Sequence, residues 1–67
     1  MMGTFYPYDN TKSAIKVSVC RRAYNNGRDL VTILVEGDDQ DREHNLHWDV
    51  HRKYYSGYVG EQEGFLV

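Results

Sequence analysis

The chain has 67 residues, a net charge of −2 and one cysteine. That length bounds it to a single domain with a thin core, and one cysteine excludes an internal disulfide. No apolar run approaches the roughly 18 residues of a membrane-spanning helix. Met1–Tyr8 has neither the basic nor the apolar region of a secretory signal, so a reducing, cytoplasmic setting is expected for the Cys20 thiol.

Charge is unevenly placed. Met1–Arg28 holds Lys12, Lys16, Arg21, Arg22 and Arg28 against Asp9 alone, net +4. Asp29–Val67 holds nine acids against three bases, net −6. Such asymmetry either marks a partner surface or cancels between halves that face each other.

In chain order, residues 1–12 read as an N-terminal arm. Phe5, Tyr6 and Tyr8 surround Pro7, which favours extended backbone before it, so a short edge strand is expected at Thr4–Tyr6. The aromatics there suit a lid over one end of the core. Residues 13–37 read as a β-hairpin, the firmest object in the chain. Ile15, Val17 and Val19 alternate before Asn25-Asn26-Gly27, and Val31, Ile33 and Val35 alternate after it. A three-residue loop with Gly27 at positive φ pairs Tyr24 with Arg28, Val19 with Ile33 and Val17 with Val35. That register gathers all six β-branched residues on one face, which a buried face demands. It also puts Lys16, Arg22 and Tyr24 together on the other.

Residues 38–45 are an acidic loop. It lacks the central glycine and the spacing of an EF-hand, so calcium is not expected. Residues 46–67 read as short strands. The segment from His44 to Tyr55 fits a strand, with Leu46, Trp48 and Val50 on one face. It also fits a helix over about 40–55, striped by Leu46, Val50 and Tyr54. Asn45, His47, Asp49 and Val50 are weak helix formers, which favours the strand. Gly57 marks a bend or bulge, Gly60–Gly64 a turn, and Phe65–Val67 a terminal strand.

The predicted fold is therefore all-β, a small antiparallel barrel or curled meander on the 14–37 hairpin. The alternative is an α+β form with the 40–55 helix packed on it. An apolar strand at Val31–Val35, an acidic turn at Asp38-Asp39, a tryptophan strand at Trp48–Val50 and the Gly57-Tyr58-Val59 step resemble, in that order, an SH3-like barrel. The resemblance covers about half the chain and implies topology only.

Candidate chemistry is sparse. His44, His47, His51 and Asp49 have the residue types of metal ligands. On a strand, though, His47 and His51 stand about 13 Å apart, so no metal and no cofactor is expected. Cys20 sits mid-strand beside Arg22, without a helix N-terminus or glycine-rich elbow to activate it. No nucleotide-binding or zinc-protease motif occurs. The expectation is a non-enzymatic protein-binding module, such as a small regulator or inhibitor of the kind phages encode. Trp48, Tyr54, Tyr55 and Tyr58 are its candidate anchors, because tyrosine and tryptophan dominate interface hot spots. Asp38, Asp39 and Asp41 are candidates for steering a basic partner. A homodimer through an open edge strand is a further expectation. The alternative is a nucleic-acid-binding ribbon using Lys16, Arg22 and Tyr24.

Overall fold

The three-dimensional structure, a computed structural model, describes residues 1–67. Six strands, β1 (Met2–Pro7), β2 (Ile15–Asn25), β3 (Arg28–Val35), β4 (Glu43–Asp49), β5 (Tyr54–Val59) and β6 (Gln62–Leu66), form a closed antiparallel barrel. Each strand pairs with its sequence neighbours, and β6 returns to β1. There is no helix, hence none long and apolar enough to cross a membrane. The all-β expectation holds and the helix over 40–55 is excluded: β4 occupies Glu43–Asp49. The segments that resemble an SH3-like barrel fall on β3, the β3–β4 loop, β4 and β5.

The β-branched face behaves as the alternation requires. Val17, Val31 and Ile33 are buried with Phe5, Leu46 and Val59, and Ile15, Val19, Val35, Tyr55 and Leu66 pack against them. Two glycines facing each other, Gly57 on β5 and Gly64 on β6, make room for this core. A Cβ on Gly64 would lie 2.8 Å from the Phe5 ring, and one on Gly57 would lie 3.0 Å from a Leu46 methyl. Gly57 therefore marks close packing inside a regular ladder rather than a bend.

Three expectations need correction. The N-terminal segment is not an arm with an edge strand. β1 pairs with β2 on one side and β6 on the other, and so closes the barrel. The β5–β6 turn is only Gly60-Glu61, because Val59 already pairs with Gln62. The third correction concerns the hairpin. Asn25 pairs with Arg28, so the loop is the two-residue Asn26-Gly27 turn, with φ of 54° and 75°. Both central residues are left-handed, as a type I′ turn requires. Tyr24 then faces Asp29, not Arg28. The expected Val19–Ile33 and Val17–Val35 pairs survive because the register shifts between Val19 and Arg21. Cys20 is the extra residue of a β-bulge, which lets the preferred turn and the buried face coexist.

The bulge has a second effect. It reverses the faces of the last five residues of β2, so that Arg22, opposite buried Val31, turns to the inner side with Tyr24. Lys16 stays on the outer side, opposite Thr4. Lys16, Arg22 and Tyr24 thus form no single ribbon face.

Candidate functional site

One row of opposed residues crosses the barrel wall from solvent to core. It starts at Tyr24, paired with Asp29, and Trp48 is next in the β3–β4 register. Trp48 pairs with Tyr55, Tyr55 with Leu66, Leu66 with Phe5, and Phe5 with Ile15. Residues directly opposite share a face, so the whole row points inward. The strands tilt, however, so its first members lie beyond the core, at the barrel mouth. Tyr24 is 77% exposed and Trp48 38%, while Phe5 is fully buried.

The mouth is a shallow groove of about 490 Å3 lined by Tyr24, Asp29, Trp48 and Val50, with Gly27, Arg28 and His47 at its rim. Its floor is held by polar contacts. The Arg22 guanidinium grips Asp29 with two hydrogen bonds, Nε to Oδ1 at 3.0 Å and Nη2 to Oδ2 at 2.7 Å. The Tyr55 hydroxyl donates to Asp29 Oδ1 at 2.8 Å. Trp48 and Tyr55 meet edge to face, with ring centroids 5.0 Å apart. The Arg22 hydrogen bonds hold the Asp29 carboxyl below its usual range, assisted by Tyr55. Desolvation, then the bond to Asp29, pushes the Tyr55 phenol up. The Trp48 wall is thus held by its edge-to-face contact with Tyr55, which the Arg22–Asp29 ion pair anchors through the Tyr55 hydroxyl.

The remaining predicted residues fall elsewhere. Tyr54 points outward, where it stacks on Phe65 at 4.6 Å and shares a 2.9 Å hydroxyl contact with Tyr8. Tyr6 also packs on Phe65, so four aromatics form a patch on the outer wall. Tyr58 is outward, exposed and opposite Glu63. It stands about 13 Å along β5 from Tyr54. The four anchors are therefore not one surface: Trp48 and Tyr55 belong to the mouth, Tyr54 and Tyr58 to the outside.

The acidic loop is at the opposite end of the barrel. In an up-and-down barrel successive connections alternate ends, so the β3–β4 loop lies far from the β2–β3 turn and the β4–β5 loop. Asp38 is a local brace. Its carboxylate accepts from the Gln40 and Arg42 backbone N–H groups and from the Arg42 guanidinium. These bonds, the Arg42 side chain first, lower its pKa. Asp39 and Asp41 are exposed and ion-pair with nothing. The three acids expected to steer a partner therefore lie at the end of the barrel away from the mouth.

The histidines diverge. His44 is inner, opposite Ile33, His47 is outer, opposite Leu30, and His51 lies in the β4–β5 loop. No three potential metal ligands converge. Asp49 instead ties that loop, accepting from His51 N at 2.9 Å, Arg52 N at 3.0 Å and Arg52 Nη1 at 3.2 Å.

Asp29, Val50 and the role of Tyr24 in the mouth were not predicted. The Asn-Gly dipeptide was the available signal, since a two-residue turn places Tyr24 against Asp29 directly. Comparison of the chain with protein-family models, curated proteins and solved structures found no match.

Proposed function

We propose that this protein is a non-enzymatic binding module that grips another protein at the barrel mouth, as a small regulator or inhibitor of that partner. The observation that carries the reading is the gathering of exposed Tyr24, Trp48 and Val50 around one groove braced by Arg22–Asp29 and Tyr55. Tryptophan, tyrosine and arginine are the side chains that concentrate binding energy. The Trp48–Tyr55 wall, already held ring against ring, loses little conformational entropy on docking. The exposed Cys20 thiol suits a reducing compartment and hence the cytoplasm.

The test is site-specific photocrosslinking in cells. A photoreactive phenylalanine analogue at position 24 is expected to capture a discrete protein, and Tyr58, outside the groove, is the control position. Val50→Ala should weaken capture from position 24 without moving the melting temperature, because Val50 is 65% exposed. Equal capture from positions 24 and 58, or none from 24, sinks the reading.

A further inference from the structure

The barrel is closed, yet one stretch of strand has a neighbour on one side only. β1 pairs with β2 from Ile15 to Ser18, and Val19 N–H donates to Met1 O at 2.7 Å. Beyond that point β2 continues to Asn25 with β3 alone beside it. Asn25 and Arg28 flank a two-residue turn, so they form a hydrogen-bonded pair, and Ala23 and Arg21 bond to β3 in alternation with them. Arg22 and Tyr24 accordingly turn their N–H and C=O groups outward. All residues from Cys20 to Asn25 are exposed. This lane is in line with β1, spans roughly 20 Å, and borders the groove through Tyr24.

We infer that this open edge of β2 takes up an extended acidic segment of a partner protein as an added strand antiparallel to β2. The inference rests on the mouth reading and names the chemistry of the partner. Backbone pairing supplies the affinity of such an arrangement, and flanking side chains supply its selectivity. Alternate side chains of the added strand lie on the inner side, next to Arg22 and Tyr24.

Charge argues for the acidic identity. The mouth end carries Arg22, Arg28, Arg52 and Lys53, of which Arg28 and Lys53 have no carboxylate partner, and Arg21 stands on the lane at mid-barrel, paired with Glu43. Arg21 bonds Glu43 through Nη1 and Nη2 and Arg22 bonds Asp29 through Nε and Nη2, so Arg21 Nε and Arg22 Nη1 remain as donors. A guanidinium has five N–H donors, enough for a second carboxylate. The opposite end carries the unpaired acids Glu36, Asp39, Asp41 and Glu61 against two unpaired cations, Lys12 and Lys16, and so is net acidic. Antiparallel pairing of two β2 edges about Arg22 would set Arg22 against Arg22, and like charges directly opposite destabilise a sheet. Pairing about Ala23 sets Arg22 against Tyr24 instead, so self-pairing is an outcome that the experiment must separate from peptide uptake.

The experiment follows the single tryptophan, Trp48, and backbone amide exchange by NMR. The probes are a peptide of about eight residues alternating Glu and Val, its Lys-Val counterpart, two versions N-methylated on alternate residues to block one edge each, and oligothymidylate. The expected result is a saturable change in Trp48 emission with the Glu-Val peptide, at least about tenfold tighter than with the Lys-Val peptide. Exchange should slow at Arg22 and Tyr24 and stay unchanged at Ala23. One N-methylated version should lose binding and the other keep it. Equal binding of both, or no protection at Arg22 and Tyr24, overturns the inference. So does tighter binding of oligothymidylate, or the same protection arising from dimerisation without peptide. If the peptide arm fails while position 24 still crosslinks a protein, the added strand falls and the mouth reading stands. If both fail, both fall.

Discussion

Replacing Gly64 by alanine should be the most damaging single-methyl addition in the barrel. The new Cβ would collide first with the Tyr6 carbonyl oxygen, and would sit 2.8 Å from two further neighbours, the Phe5 ring and Pro7 Cα. Carbon atoms pack best at roughly 3.5–4.0 Å, so β1 and β6 must part by about 0.7 Å or more. Neither neighbour yields easily. Phe5 is fully buried, and Pro7 is backbone at one end of a three-pair β1–β6 ladder. Overpacking of this kind costs about 3 kcal/mol, the upper part of its usual range. Alanine recovers roughly 0.5–1 kcal/mol over glycine in a strand, which leaves a net loss of about 2 kcal/mol. For a domain of this size that lowers Tm by about 8–16 °C. Gly57→Ala is the internal comparison. Its closest contacts are a Leu46 methyl at 3.0 Å and the Asn45 carbonyl oxygen at 3.3 Å, both relieved by a shift of a few tenths of an ångström, so the clash and the entropic gain nearly cancel. Its Tm should stay within about 4 °C of the parent. Melting followed by both Trp48 emission and far-UV circular dichroism measures the two variants. Equal losses, or a larger loss at Gly57, would refute the argument that β1 closes the barrel against Gly64.

Two further outcomes follow from the mouth. Tyr55→Phe deletes one hydrogen bond to Asp29 while Arg22 retains two, and should cost about 1 kcal/mol in urea unfolding. With the raised Tyr55 pKa, the parent has stability at pH below the free phenol value, about 10, that is lost as pH rises through the folded value. Tyr55→Phe should lack that part of the alkaline loss. On the acid side, Asp9, Asp29, Asp38 and Asp49 all have lowered pKa values. Their contribution is present above the unfolded carboxylate value, about 3.9, and disappears as pH falls through the folded values. The urea midpoint should therefore drop below about pH 4, and Asp29→Asn should flatten part of that drop. An unchanged acid profile in Asp29→Asn would show that the Arg22 pair adds no net stability.

The fold was legible where one rule governed. Alternation of Ile15 to Val19 and of Val31 to Val35 located the core, because a buried face tolerates no slip. The weak helix propensity of residues 45–50 was enough to place β4. Legibility failed where two rules competed. Asn26-Gly27 favoured a two-residue turn, and the β-branched set required the register of a three-residue one. The protein satisfies both by inserting Cys20, and a bulge carries no residue signature of its own. The faces of Arg22 and Tyr24 were therefore assigned in reverse, and with them half of the mouth. Trp48 and Tyr55 were named as anchors, but their separation from Tyr54 depends on a four-residue β4–β5 loop, closed by Lys53 N–H bonding to Asp49 O at 2.7 Å. Residues 1–12 lacked any alternation strong enough to show that Phe5 is the centre of the core.

Cys20 is the pivot of this arrangement, and its deletion separates register from shape. Without it, Val19 opposite Ile33 and Arg21 opposite Thr32 become successive pairs of an ordinary ladder. The Asn26-Gly27 turn is kept, and so are the faces: Val19 inward, Arg21 outward, Arg22 and Tyr24 inward. Removing Cys20 should leave a folded barrel, with stability within about 1 kcal/mol of the parent, because an exposed side chain and one unpaired bulge residue are lost. What changes is the local twist that a bulge adds. The β2–β3 tip then meets the Trp48 side of the groove at a different angle, so partner capture from position 24 should fall while melting does not. Cys20→Ala, which keeps the bulge, should capture like the parent. Loss of folding on deletion would mean that the bulge is needed for barrel closure itself. Undiminished capture would detach the groove from the twist of the hairpin.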